Sequence, residues 1–183
     1  MSAFIYARRI FSSERENMEL LDLRFSEKTL KILKGMAGQV FEKYRCDPSI
    51  FHPVYLLPVG IYASGKCYIM TQEITDKAAG GKKTDVLEWV FREAEEKEIH
   101  SSRPAVVQED HALQKEIKEV RIINEKKTLF RRGKAEYRVY LTKAVRFIFE
   151  KGYLQIRKPV YFSPFLNLED DGEECREWEK LRS

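Results

Sequence analysis

Two runs rich in Tyr, Val and Ile, residues 54–63 and 66–74, flank the dipeptide Ser64-Gly65. Extended runs joined by so short a polar turn close into an antiparallel hairpin. A lone hairpin is marginal in water, so these strands must pack against something else in the chain. Pro58, inside the first run, belongs at a sheet edge or a bulge, because proline has no N–H to give to a ladder. The rest of the chain can supply the partner: 183 residues with 43% apolar side chains suffice for one ordinary domain or two small ones. Six prolines, nine glycines and 34% charged residues exclude collagen-like and low-complexity classes. No apolar run approaches the roughly 18 residues of a bilayer-spanning helix.

Elsewhere the apolar spacing is three and four, which predicts helices. Ser26 is a helix cap ahead of Leu30, Leu33, Ala37, Val40, Phe41 and Tyr44. Gly35-Met36-Ala37-Gly38 has the G-x-x-G spacing of the backbone clamp in KH domains. The periodicity, however, runs through it and reads as helix packing. Thr84 caps a second helix carrying Val86, Leu87, Val90, Phe91 and Ala94, and Ala112, Leu113, Ile117, Val120 and Ile123 mark a third with a β-rich end. Residues 128–130 and 136–141 flank a turn at Arg131 to Lys134, a second hairpin. Thr142 then caps a helix over residues 143–151, closed by Gly152 at the C′ position. Residues 14–25 fit helix and strand equally.

These elements predict an α+β fold in which helices flank two antiparallel hairpins. The expected divisions are an N-terminal α+β region at 1–100, a basic C-terminal region at 101–165 and an acidic tail at 166–183, or one domain that spans them all. Beyond Pro164 a peripheral helix or a partly disordered tail is expected.

Charge is distributed unevenly. From Lys126 to Lys158 there are eleven basic residues and two acidic ones, in a chain whose net charge is only +4. Phe130, Tyr137, Tyr140, Phe147, Phe149 and Tyr153 interleave with them. Cations attract phosphates and flat rings stack on unpaired bases, so the pattern suits a nucleic-acid surface. It equally suits a half-buried strand with rings inside and cations in solvent. The order helix, hairpin, helix, extended pair over 112–162 resembles a winged helix, which implies a helix in a groove and a basic wing on the backbone. In that arrangement Lys143, Arg146 and Lys151 face nucleic acid from the helix, and Arg157 and Lys158 sit on the wing. The candidate nucleic-acid contacts are Lys126, Lys127, Arg131, Arg132, Lys134, Arg138, Lys143, Arg146, Arg157 and Lys158. Arg131, Arg132 and Lys134, at the hairpin tip, are the leading phosphate contacts.

Gly80, Gly81, Lys82, Lys83 and Thr84 stand before an expected helix N-terminus and form a candidate anion-binding loop, though the Walker A spacing fails. Asp110, Glu125 and Lys127 are a candidate metal-hydrolase set. His52, His100 and His111 lack ligand spacing, so no metal or cofactor is expected. Three cysteines, Cys46, Cys67 and Cys175, lack C-x-x-C spacing and are odd in number, which favours a reducing, cytoplasmic or nuclear compartment. Met1 to Ser13 holds Arg8, Arg9 and no acid, which fits an edge strand and, alternatively, a mitochondrial presequence. The leading expectation is a non-enzymatic binding protein that contacts RNA or DNA, with protein partners in a complex. The alternative is an interaction or scaffold subunit with opposed basic and acidic surfaces. An enzyme using a phosphorylated ligand or a metal is the third.

Overall fold

A computed structural model describes residues 20–47, 54–56, 58–79, 82–101, 106–131, 134–158 and 165–170. At 54–56, 78–79, 82–84, 129–131, 134–137, 165 and 170 the backbone alone is described. The elements are β1 (Leu20–Leu23), α1 (Glu27–Lys34), β2 (Val40–Cys46), β3 (Val54–Leu56), β4 (Val59–Ala63), β5 (Lys66–Ala79), β6 (Lys82–Glu93), a 3-10 turn (Glu96–Glu98), β7 (Glu109–Glu116), β8 (Glu119–Arg131), β9 (Lys134–Ile148), β10 (Tyr153–Arg157) and β11 (Phe165–Asp170).

The expected α+β architecture is therefore corrected: among the described residues the chain is mostly β, in two sheets, with α1 the one α-helix. One sheet has the order β6-β5-β4-β2-β7, and the other runs β1-β9-β10-β11-β3 with β8 against β9. Every pairing is antiparallel except β1 with β9. Both sheets draw strands from both sides of residue 100. The hairpin at Ser64-Gly65 is β4–β5, and Gly65 takes the positive φ of +74° that its turn requires.

The sheets meet through one apolar cluster. Phe41, Ile61, Met70 and Phe91 enter it from the five-stranded sheet, and Val145, Phe147, Leu154, Ile156 and Leu166 from the other. Phe41 stands edge-on to Phe147 at 5.2 Å and to Phe149 at 5.9 Å, a geometry in which ring edges meet ring faces. A second cluster joins Leu21 and Leu23 of β1, Val139 and Leu141 of β9, and Val86 of β6. On the outer face of the five-stranded sheet, Ile99 covers Tyr62 and Ile69.

Each misread helix has a physical cause. In β2 the register against β4 shifts between Phe41 and Lys43, so the buried positions run Phe41, Tyr44, Cys46. A bulge thus turns a spacing of two into a spacing of three, the helical signature. The true helix stops at Lys34, where Gly35 caps it, and Gly38 turns the chain with φ +83°. The G-x-x-G glycines end the helix and do not run through it.

Thr84 begins no helix. β6 buries Val86 in one cluster and Trp89 and Phe91 in another, so both its faces are apolar and alternation disappears. Residues 112–123 split between β7 and β8, with Gln114 at a positive φ of 51° where β7 shifts against β2. The expected helix at 143–151 is the second half of β9 and the turn after it. β9 is central, flanked by β8 and β10, and Ala144, Val145 and Phe147 are all buried. With neither of its helices present, the winged-helix resemblance falls. Residues 165–170 form β11 where a peripheral helix or disorder was expected. Met1 to Ser13, Gly80, Gly81, Arg132 and Cys175 lie outside the described residues.

Candidate nucleic-acid interface

The basic region folds into β8, β9 and β10, and packing divides its cations into two groups. Most of those whose side chains are described are engaged. Arg146 donates through Nε and Nη2 to Oε1 of Gln155 at 3.0 and 2.8 Å, and its guanidinium lies 4.3 Å from the Tyr153 ring centre. Arg157 pairs with Glu169 at 2.7 Å. Lys127 pairs with Glu125 at 3.2 Å, and Lys143 lies 3.8 Å from the same carboxylate. Lys158 is buried, 4% exposed. Expectations of Lys143 and Arg146 as groove-facing helix residues, and of Arg157 and Lys158 as wing residues, are thereby corrected: they stand on strands or at their ends, within sheet contacts.

The lysine next to Lys127 differs. Lys126 is exposed and has no ion-pair partner among the described residues. Arg138, half-buried, stands opposite Thr128 across the ladder. β8 and β9 remain paired out to Arg131 opposite Lys134, so a two-stranded ribbon carries these positions to its tip.

A second ribbon runs beside it. β5 and β6 stay paired out to Ala79 opposite Lys82, so Lys82, Lys83 and Thr84 of the candidate anion-binding set lie on β6. Val86 of β6 packs with Val139 and Leu141 of β9, and both hairpins continue past this cluster, away from the main core. Lys77 of β5 is ion-paired with Glu88 at 2.5 Å and close enough to Asp22, opposite Tyr140, to help lower that carboxyl's pKa. The two hairpins are thus joined by a shared cluster short of their tips. Their charge is not equal, because Asp76 and Asp85 face each other across the β5–β6 ladder. Sharing a hydrogen bond and repelling one another, they raise the Asp76 carboxyl above its ordinary pKa.

The candidate hydrolase set is not assembled. Asp110 sits on β7, held by Lys43 at 2.6 Å and Arg45 at 2.5 Å, and these cations keep its carboxyl well below the usual range. Glu125 lies on β8, in the other sheet, with its own lysines. Burial pushes the Cys46 thiol up to about 12, which makes it a poor nucleophile. Among the described residues no cluster of His, Cys, Asp and Glu is suited to a metal ion, and no helix is long and apolar enough to cross a membrane. The chain matches no known protein family, no curated protein and no solved structure.

Sequence reasoning singled out both tips, from the Arg131 to Lys134 turn and the Gly80 to Thr84 loop. It missed that the two hairpins share an apolar cluster, Val86 with Val139 and Leu141. That relationship depends on β6 packing on β9, and no local pattern encodes it.

Proposed function

We propose that this protein binds nucleic acid, without catalysis, through the distal ends of the β5–β6 and β8–β9 hairpins. The β8–β9 arm is the stronger contact, since Asp76 and Asp85 offset part of the other arm's charge. What carries the reading is the division of the cations. Lys127, Lys143, Arg146 and Arg157 are engaged within the sheets, while Lys126 is exposed and Arg131 and Lys134 stand at the last described pair of the β8–β9 ribbon. Two-stranded ribbons are one of the shapes that dock on nucleic-acid backbones and grooves.

The experiment is anisotropy of labelled RNA and DNA with the full chain and two double variants, Arg131→Ala/Arg132→Ala and Lys82→Ala/Lys83→Ala. Both variants should bind more weakly, the first more so, with melting unchanged, because tip residues contribute little packing. Full affinity in a folded Arg131→Ala/Arg132→Ala variant would move the site elsewhere. Salt-sensitive self-association with no nucleic-acid affinity would favour the scaffold alternative instead.

A further inference from the structure

Between α1 and the edge of β6 lies an open groove of about 730 Å³, within the size range of small-ligand sites. Phe25, Leu30 and Trp89 line its apolar part, and Arg24, Lys77 and Asn124 its polar part. Phe25 and Trp89 are in ring contact, with centroids 5.3 Å apart. Three of the four cations on its wall are matched, Arg24 by Asp22 at 2.5 Å, Lys77 by Glu88 at 2.5 Å and Arg92 by Glu98 at 2.8 Å, and Lys28 stands beside Glu27, Glu88 and Asp22 in the same lining. The groove therefore offers little net charge. What it offers is unused hydrogen-bonding capacity.

The indole N–H of Trp89 is buried and has no hydrogen-bond partner among the described residues. Buried polar groups are nearly always satisfied, so an orphan donor on a residue that lines the groove points to a missing acceptor. Asn124 accepts from Thr142 Oγ1 at 3.0 Å through Oδ1, which leaves its amide NH₂ without a partner among the described residues. The β6 edge adds main-chain groups. Thr29 Oγ1 donates to the Phe91 carbonyl at 3.4 Å, and Lys158 Nζ to the Leu87 carbonyl at 3.5 Å. Residues of a strand alternate in the edge they address, so the N–H and C=O of Trp89, between those two, face the same open side.

We infer that this groove holds one unpaired nucleobase of a strand tracked by the hairpins. An apolar lining suits a base ring, and donors beside a main-chain N–H and C=O suit its hydrogen-bonding edge. Lys77, on the groove wall, belongs to the β5–β6 hairpin, so the groove is continuous with the candidate interface. A base can enter only after leaving a helical stack, which makes single strands the favoured ligand. The inference rests on the proposed function and adds a ligand class to it.

The test uses full-length protein carrying Trp178→Phe, which leaves Trp89 the sole tryptophan. A decamer of rU or dT is titrated while Trp89 fluorescence and anisotropy of a labelled strand are read, with a duplex of equal length alongside. Quenching of Trp89 and about tenfold tighter binding of the single strand support the inference. So does loss of that preference in Trp89→Phe, which keeps a ring but no N–H, and in Asn124→Ala, at an exposed position, with duplex affinity retained. Equal binding of both forms without quenching overturns the groove as a base site and leaves the hairpin reading standing. Binding of neither form overturns both.

Discussion

The ammonium of Lys158, at the end of β10, crosses between the sheets and donates to the main-chain carbonyl of Leu87 on β6 at 3.5 Å. No carboxylate pairs with it among the described residues. Burial, with the charge of Lys143 nearby, lowers its pKa to about 8 from an ordinary 10.5. An exposed lysine in the unfolded chain keeps its proton more tightly than this one does. The charged form therefore penalises the fold fully below about pH 8, and the penalty fades as pH rises toward 10.5.

Lys158→Met removes that penalty while retaining the stem. At pH 7 the variant should be more stable than the wild type by about 1 to 3 kcal/mol in urea unfolding, and the difference should shrink steadily by pH 10. A pH-independent difference would show that the ammonium is solvated.

Thr142 of β9 links β8 to the segment between β1 and α1. Its Oγ1 accepts from the Phe25 main-chain N–H at 3.0 Å and donates to Asn124 Oδ1 at 3.0 Å, and the residue is 1% exposed. Thr142→Val keeps the shape but leaves the Phe25 N–H unsatisfied. Unfolding measurements should register a destabilisation of about 1 to 3 kcal/mol. Thr142→Ser, which keeps the hydroxyl, should be affected less.

Gly60 makes room for a neighbour. A Cβ there would lie 2.6 Å from Cδ1 and 2.8 Å from Cγ2 of Ile99, so Gly60→Ala pushes Ile99 off the outer face of its sheet. The expected cost is about 1 to 3 kcal/mol. Trimming the obstruction with Ile99→Ala should make the second change nearly free of further cost. Additive losses in the double variant would place the strain elsewhere.

The β4–β5 hairpin was legible because Ser64-Gly65 and regular alternation agree there. The β8–β9 pairing, described as far as Arg131 opposite Lys134, was legible as a second hairpin. Ser26 was legible as a helix cap, and its Oγ accepts from the Thr29 N–H at 3.2 Å. The helix length was not legible, because the bulge between Phe41 and Lys43 extended its apolar stripe into a strand. β6 and β9 misled differently. Strands buried on both faces carry no period-two signal, and caps such as Thr84 and Thr142 lent them false helix starts. At the candidate interface the residue types were legible, but which cations the sheets engage was not. Glu125, Gln155 and Glu169 decide that, and strand pairing brings Glu125 near Lys143, Gln155 to Arg146 and Glu169 to Arg157.

The salt dependence of nucleic-acid affinity tests the central claim most directly. Removing one cation from a phosphate should lower the slope of log affinity against log salt by roughly 0.7 to 0.9. Binding by the wild type should weaken steeply with salt, and Arg131→Ala/Arg132→Ala should flatten the slope by about 1 to 2. Lys34→Ala/Lys118→Ala, on exposed lysines outside both hairpin tips, should leave it unchanged. No binding at low salt, or a slope indifferent to the tip residues, would contradict the account.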